Sequence, residues 1–435
     1  MRNSILSTAK VLIISHNSLS LTANNGKTLE SIFDCFPSES IAQLFFQTEV
    51  PSSNKFKNFF RISDLDIVRK LPSLKFDFGD KIESEYHSKQ PNVYGDSSWI
   101  VNKIKKLTKL KSVVRTLLYS FNIEKGNKLN SWLDEFNPTA VFVLGGESAF
   151  LFRIALRISQ KRAIPLHLFF TDDYIFNSKS SCFNVVRINY LNTIYSCVKY
   201  SKSCFCISDK MSQLYKEKFL KDFNTLNNAV DLNKEVVERI NYPGKPIRFV
   251  YAGGLTLGRD LALLNFCQVI SLFSLHNKGL DVGVDIYSAN EIPSKIRNSL
   301  NEINNLKVSM HGFKPALEMD FIYNNADFLL HVESSEPVNK SKTYLSISTK
   351  ISECLVSKRC LIAFGPSDLA SMELIKDNEI GVQLDSELPI YENEKVLSSI
   401  IFCDKKYKQV VDFGYDYATR NFSKKSVQDT LLNQL

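Results

Sequence analysis

The residues best placed to do chemistry are a lysine and a glutamate one helical turn apart, set behind a run of hydroxyls in Ser346-Ile-Ser348-Thr349-Lys350-Ile-Ser-Glu353. Ser346, Ser348 and Thr349 can cap a helix running from about Thr349 to Ser357 and leave its first N–H groups free, which suits a phosphate. Lys350 puts a full positive charge in the first turn, against the helix dipole, so a negative partner is expected. Glu353 lies on the same face, where its carboxylate could accept hydrogen bonds from a ribose or a sugar. A surface helix with an i, i+3 ion pair accounts for the same residues without a ligand.

Three further stretches carry reactive groups at the ends of apolar runs. Thr171-Asp172-Asp173-Tyr174 follows Pro165–Phe170, and two aspartates at the rim of a sheet can bind hydroxyls or take a proton; a solvated loop reads the same way. Gly253-Gly254-Leu-Thr-Leu-Gly258-Arg259 is a glycine-rich turn ending in a cation. Asn25-Gly26-Lys27-Thr28 closes the loop after Val11–Ser15 and opens a helix through Leu29, Ile32 and Phe33. It is not a P-loop, because the first glycine of that motif is missing. Asp64-Leu-Asp66 has metal-binding spacing but sits in a poorly patterned segment from 51 to about 91, without supporting ligands, and reads as surface.

These groups need strands and helices to hold them. Short apolar runs alternate with helical patterns twice. The first series is Val11–Ser15, Ile41–Phe46, Ala140–Leu144, Pro165–Phe170 and Cys204–Ser208; the second is Ile247–Ala252, Leu280–Tyr287, the run from Val308, Ala326–Val332 and Cys360–Phe364. Between them, 231–246 is polar and ends in Tyr-Pro-Gly-Lys-Pro, a linker composition. The expected fold class is α/β, with two doubly wound Rossmann-like domains facing one another across a cleft, 1–230 and 247–414. A last helix, 415–435, is expected to cross back to the first domain.

At 435 residues the chain exceeds one ordinary core. The nine cysteines are scattered and lack metal-ligand spacing, which points to a reduced, cytoplasmic setting. No signal peptide and no membrane-spanning run is expected. A net charge of +8 is too weak to argue for nucleic acid as a partner unless concentrated. It is concentrated in one place: 99–119 has apolar residues at helical spacing and Lys103, Lys105, Lys106, Lys109, Lys111 and Arg115 without an acid. Such a helix can lie on an anionic membrane surface, or pack on a core with a solvated basic face.

The order of these motifs resembles the GT-B glycosyltransferases, in particular the retaining group that uses nucleotide-sugar donors and builds bacterial surface polysaccharides. The resemblance spans nearly the whole chain, and adds Cys206-Ile-Ser208-Asp-Lys-Met211 and Asn227-Asn228-Ala-Val-Asp231 to the stretches above. It implies a donor diphosphate against Arg259 after the Gly254 turn, with Lys350 and its helix N-terminus, from Ser348 and Thr349, as a second contact. His311, Gly312 and Phe313 would frame the nucleobase, and Glu353 would hold the ribose. Asn25, Gly26 and Lys27 would approach the donor phosphate and the acceptor, a glycan or lipid-linked oligosaccharide, with Asp172 or Asp173 as the acceptor-side polar residue. Asp172, Asp173, Arg259 and Lys350 are thus the expected catalytic residues, with no metal and no cofactor besides the donor. One departure stands out: a second glutamate, eight residues before the ribose-binding one, is Leu345 here, and Glu333 or Glu336 in the preceding loop could substitute for it. A sugar-nucleotide epimerase and a non-catalytic partner protein are the rival functions.

Overall fold

The computed structural model describes residues 6, 8–21, 24–70, 77–83, 115–116, 118–119, 122–177, 184–232 and 246–435. Contacts divide the chain into two units, Met1–Asn227 with Val427–Leu435, and Asn228–Ser426. The expected linker falls at 231–246, most of it outside the described residues.

In unit 1 the strands are β1 (Val11–Ser15), β2 (Ile41–Phe45), β3 (Asn58–Arg61), β4 (Asp80–Ile82), β5 (Ala140–Leu144), β6 (Leu166–Phe170), β7 (Ser203–Cys206) and β8 (Asn224–Thr225). They form one sheet in the order β4-β3-β2-β1-β5-β6-β7-β8, parallel except for the antiparallel β3–β4 edge. Every residue of β1, β2, β5 and β6 is buried, the pattern of parallel strands covered by helices on both faces.

The segment from 51 to 91, expected to have little regular structure, contains β3, the helix Asp64–Lys70 and β4. These elements are too short to show a period, and β3 owes its place to tertiary contacts. Phe59 and Phe60 are buried, the Phe60 ring packs 5.3 Å from Trp132, and Trp132 Nε1 donates to Asn58 at 2.5 Å. The Asn24–Phe33 helix starts earlier than its apolar period suggests, because Gly26 seats its first turn on the preceding loop: a Cβ there would lie 2.1 Å from the Ser18 carbonyl oxygen.

In unit 2 the strands are β9 (Ile247–Ala252), β10 (Val282–Tyr287), β11 (Lys307–His311), β12 (Phe328–Val332), β13 (Cys360–Gly365) and β14 (Val382–Asp385), all parallel in the order β11-β10-β9-β12-β13-β14. Side chains alternate between two cores. Phe328, Leu330, Val332, Ile362 and Phe364 pack on one face with Phe249 and Phe266, while Leu329, Leu361 and Ala363 pack on the other with Ile351 and Leu355. Phe249 and Phe328 stack across the β9–β12 pair at 4.9 Å.

The end of the chain departs from the expected single helix over 415–435. A helix Asp404–Asn421 belongs to unit 2, and a second one, Lys424–Leu432, carries the chain into unit 1 from Val427 onward. The break is caused by a contact with a distant part of the chain. Phe422 is buried, its carbonyl accepts from Val230 N–H at 2.8 Å, and Ser423 bridges to Val230 and caps the next helix by accepting from Ser426 N–H at 3.2 Å.

Candidate functional site

A doubly wound sheet collects ligands where its strand order reverses, beyond the carboxyl ends of the strands. In unit 2 that point lies between β9 and β12, and two charged side chains meet there. Arg259 opens the helix Arg259–His276 after the glycine turn, and Glu333 is the first residue past β12. Arg259 Nη2 donates to Glu333 Oε1 at 2.8 Å, with the arginine side chain 21% exposed and the glutamate 4%. Gly258 makes the approach possible. At φ +74° it is left-handed, and a Cβ there would lie 2.6 Å from Ser334 Oγ. Tyr251 Oη, donating to the Gly254 carbonyl at 2.6 Å, ties the same turn to the end of β9.

His331 lies on the same face of β12 as Glu333. Its Nε2 is 3.8 Å from Glu333 Oε1, too far for a hydrogen bond, and burial lowers its pKa to about 4, so the ring is neutral. Among the described residues neither His331 Nε2 nor Glu333 Oε2 has a hydrogen-bond partner, although both are buried. Sequence reasoning named Glu333 only as a possible substitute and did not place it. Its signal was a carboxylate directly after a largely apolar strand, Phe328–Val332, at the reversal of the sheet.

The turn also leads to the stretch expected to frame a nucleobase. Leu255 N–H donates to Asn290 Oδ1 at 2.9 Å, and Leu255 and Asn290 line a hollow of about 390 Å³ together with Ser288, His311, Gly312 and Phe313. The Phe313 ring at its rim is 70% exposed. His311 is held from behind: its ring stacks on Tyr287 at 4.4 Å, Nε2 lies 3.0 Å from Asp285 Oδ1, and Arg248 pairs with the other oxygen of Asp285 at 3.2 Å.

The Thr349–Val356 helix also begins at the carboxyl edge of this sheet. Ser348 caps it, accepting from Lys350 N–H at 3.3 Å, and Thr349 is exposed. The negative partner that Lys350 requires is Glu353: Nζ donates to Oε2 at 2.9 Å. The i, i+3 pair is therefore formed, and a diphosphate or ribose would have to share it. Leu345, where a second carboxylate was looked for, is fully buried. The Pro337–Thr343 helix between these parts is braced by Lys340, whose Nζ lies 2.8 Å from both Asp368 Oδ1 and Glu387 Oε1.

The remaining expected residues are in unit 1. Asn25 is half-buried and Lys27 exposed in the first turn that Gly26 seats. The two aspartates separate in role. Asp173 is buried, its Oδ1 accepting from Ile175 N–H at 2.8 Å, Phe176 N–H at 3.0 Å and Tyr215 Oη at 2.9 Å, its Oδ2 from Asn177 N–H at 3.0 Å. A carboxylate so occupied shapes its own loop. Asp172 is half-buried at the rim.

At the carboxyl ends of β1, β2 and β3, Arg115 reaches all three: His16 Nε2 at 2.5 Å, the Phe46 carbonyl at 3.4 Å and Asp64 Oδ1 at 3.1 Å. Because a guanidinium only donates, His16 Nε2 accepts and His16 is neutral. Tyr119 donates to Asp64 at 2.9 Å and stacks on Phe150 at 3.9 Å. Arg115 was counted on the basic membrane face, and with its side chain 13% exposed it turns inward instead. The rest of that segment up to 114 lies outside the described residues. Asp64 and Asp66 do not converge: Asp66 caps its helix, accepting from Ser63 N–H at 2.8 Å, and Asp64 serves Arg115 and Tyr119. Among the described residues no helix is long and apolar enough to cross a membrane.

The fold is that of the GT-B glycosyltransferases. The chain is similar to Anabaena Alr3699/HepE in complex with UDP, at 11% identity and TM-score 0.59 with 98% of each chain covered. It is similar to a UDP-forming α,α-trehalose-phosphate synthase from Burkholderia xenovorans, at 8% identity and TM-score 0.62 over 98% of both chains. It is similar also to WaaG, a glycosyltransferase involved in lipopolysaccharide biosynthesis, at 10% identity and TM-score 0.56, covering 97% of this chain and 98% of that one. No protein-family model and no curated protein matches the sequence.

Proposed function

We propose that this protein is a glycosyltransferase that moves a sugar from a nucleoside diphosphate, uridine diphosphate foremost, to a hydroxyl of a glycan or lipid-linked acceptor in polysaccharide synthesis. The observation that carries the reading is Arg259 at the β9–β12 reversal, joined through the Gly253–Gly258 turn to the hollow at His311–Phe313. A base in that hollow and a diphosphate at Arg259 would be held by one continuous wall. The UDP bound to one structural neighbour and the UDP-forming activity of another support the choice of base.

Breaking the sugar–phosphate bond leaves negative charge on the departing diphosphate. Arg259, the helix N-terminus behind it and Lys350 are fixed donors that meet this charge without reorganising, a contribution of several kcal/mol in a dry site. On this reading the acceptor attacks on the face the leaving group vacates and configuration is retained. Asp172 is then the acceptor-side polar residue, and Asp173 shapes its loop.

Thermal-shift measurement against UDP-, GDP-, dTDP- and CMP-sugars tests the donor assignment. The UDP-sugars should raise the melting temperature and the others should not, since a ligand bound only by the folded state stabilises in proportion to its affinity. No shift with any of them would sink the reading; an epimer formed without acceptor would favour the epimerase. Transfer should proceed unchanged in EDTA, and a loss restored by a divalent ion would reverse the metal-free assignment. Attachment to anionic membranes is proposed through Lys103, Lys105, Lys106, Lys109 and Lys111; liposome co-sedimentation indifferent to anionic lipid would remove it.

A further inference from the structure

We propose that Glu333 is the carboxylate that contacts the transferred sugar: Oε1 aims Arg259 at the diphosphate while Oε2 accepts a hydrogen bond from a sugar hydroxyl. The assignment builds on the donor reading above and supplies what Leu345 cannot.

The geometry runs from the strand outward. Glu333 extends β12 by one residue, its N–H donating to the Phe364 carbonyl at 2.9 Å. The neighbouring strand keeps space beside it: Ala363 pairs with His331, and a Cβ on Gly365 would stand 3.1 Å from Glu333 Cβ. The side chain therefore lies at the carboxyl edge of the sheet, held on one oxygen by Arg259 at 2.8 Å. Its other oxygen is buried and has no hydrogen-bond partner among the described residues.

Such an acceptor destabilises the fold if it stays unsatisfied. A phosphate cannot satisfy it, because two anions repel. The group able to do so must donate, and must lie one guanidinium's width from the phosphate that Arg259 binds. In a nucleoside-diphosphate sugar, the sugar hydroxyls are attached directly beyond that phosphate. On the donor reading Lys350 meets the diphosphate and Glu353, paired with it, meets the ribose, so neither is assigned to the sugar. Leu345 has no group with which to make the contact.

Isothermal titration of the full chain with UDP and with UDP-hexoses tests this, before and after Glu333→Gln. The wild-type ratio of dissociation constants, UDP-hexose over UDP, should rise tenfold or more in the variant, because UDP lacks the hydroxyl concerned. Donors deoxygenated at one position should lose the same factor on the wild type and little further on E333Q. A role confined to holding Arg259 would weaken UDP and UDP-hexose in parallel, and a ratio constant within threefold overturns the proposal. If E333Q does not fold, Glu333→Asp serves: it keeps the charge for Arg259 and withdraws the second oxygen, and the same rise is expected. If the wild type binds no nucleotide sugar, the donor reading falls and this assignment with it; binding with a constant ratio removes the assignment alone.

Discussion

Arg259→Ala separates what the Arg259–Glu333 pair does for the fold from what it does for the reaction. The pair is 2.8 Å long, with 21% and 4% of the two side chains exposed, so removing the arginine strands a carboxylate in the interior. Breaking a buried pair from one side costs about 3–5 kcal/mol, and neutralising the abandoned partner recovers much of it. Arg259→Ala should therefore destabilise unit 2 by about 3 kcal/mol, and Arg259→Ala with Glu333→Gln should regain about 2 kcal/mol of that, a coupling well above the additive case. Urea unfolding resolves the units, because both tryptophans, Trp99 and Trp132, precede residue 228. Tryptophan fluorescence then follows unit 1, while circular dichroism follows both. Sugar transfer should fall at least a hundredfold in both variants, since the fixed positive charge is gone from each. A coupling under about 0.5 kcal/mol would show that the pair is not a buried ionic contact. Recovery of turnover in the double variant would show that Arg259 has no part in the chemistry.

Two more outcomes follow from buried groups. Burial lowers the pKa of His167 in unit 1 and of His331 in unit 2 to about 4, from 6.5, with Lys202 pushing the first further down. The unfolded chain therefore binds more protons between pH 6.5 and 4. Stability should be constant above this window and fall as pH drops through it, by about 1.6 kcal/mol per histidine between pH 6.5 and 5. His331→Gln should flatten this loss in unit 2 and leave unit 1 unchanged. The two aspartates should separate as well: Asp173→Asn, which disturbs three backbone N–H bonds and that of Tyr215, should cost about 2–3 kcal/mol in urea unfolding. Asp172→Asn should stay within about 0.5 kcal/mol and lower transfer instead; the reverse order would exchange their roles.

The two strand–helix series were legible because buried parallel strands are written as unbroken apolar runs, as in Val11–Ile14 and Phe328–Leu330. What stayed hidden was short or edge structure. β3 spans four residues and is held by Trp132, seventy-odd positions away, so no local period announces it. The break at Phe422–Ser423 was hidden for the same reason: its cause is a bridge to Val230, and the surrounding sequence continues to favour helix.

In the site, motifs whose function is written in their own backbone could be read directly. Ser348 capping a helix and a glycine turn after β9 are local events, and so is the Lys350–Glu353 contact at i, i+3. Partnerships made across the sheet could not be read. Arg259 and Glu333 are 74 residues apart and meet only because the strand order reverses between β9 and β12. Arg115 and His16 are 99 apart, and they meet because β1, β2 and β3 end on one edge. The same reasoning reverses the weight of Leu345. A family pattern counted along the chain makes it a missing group, but a sheet edge gathers residues from several strands and can take its carboxylate from any of them. On the proposed assignment, Glu333 stands at that edge beside the cation that the diphosphate would use, and a site with Leu345 would still have its carboxylate.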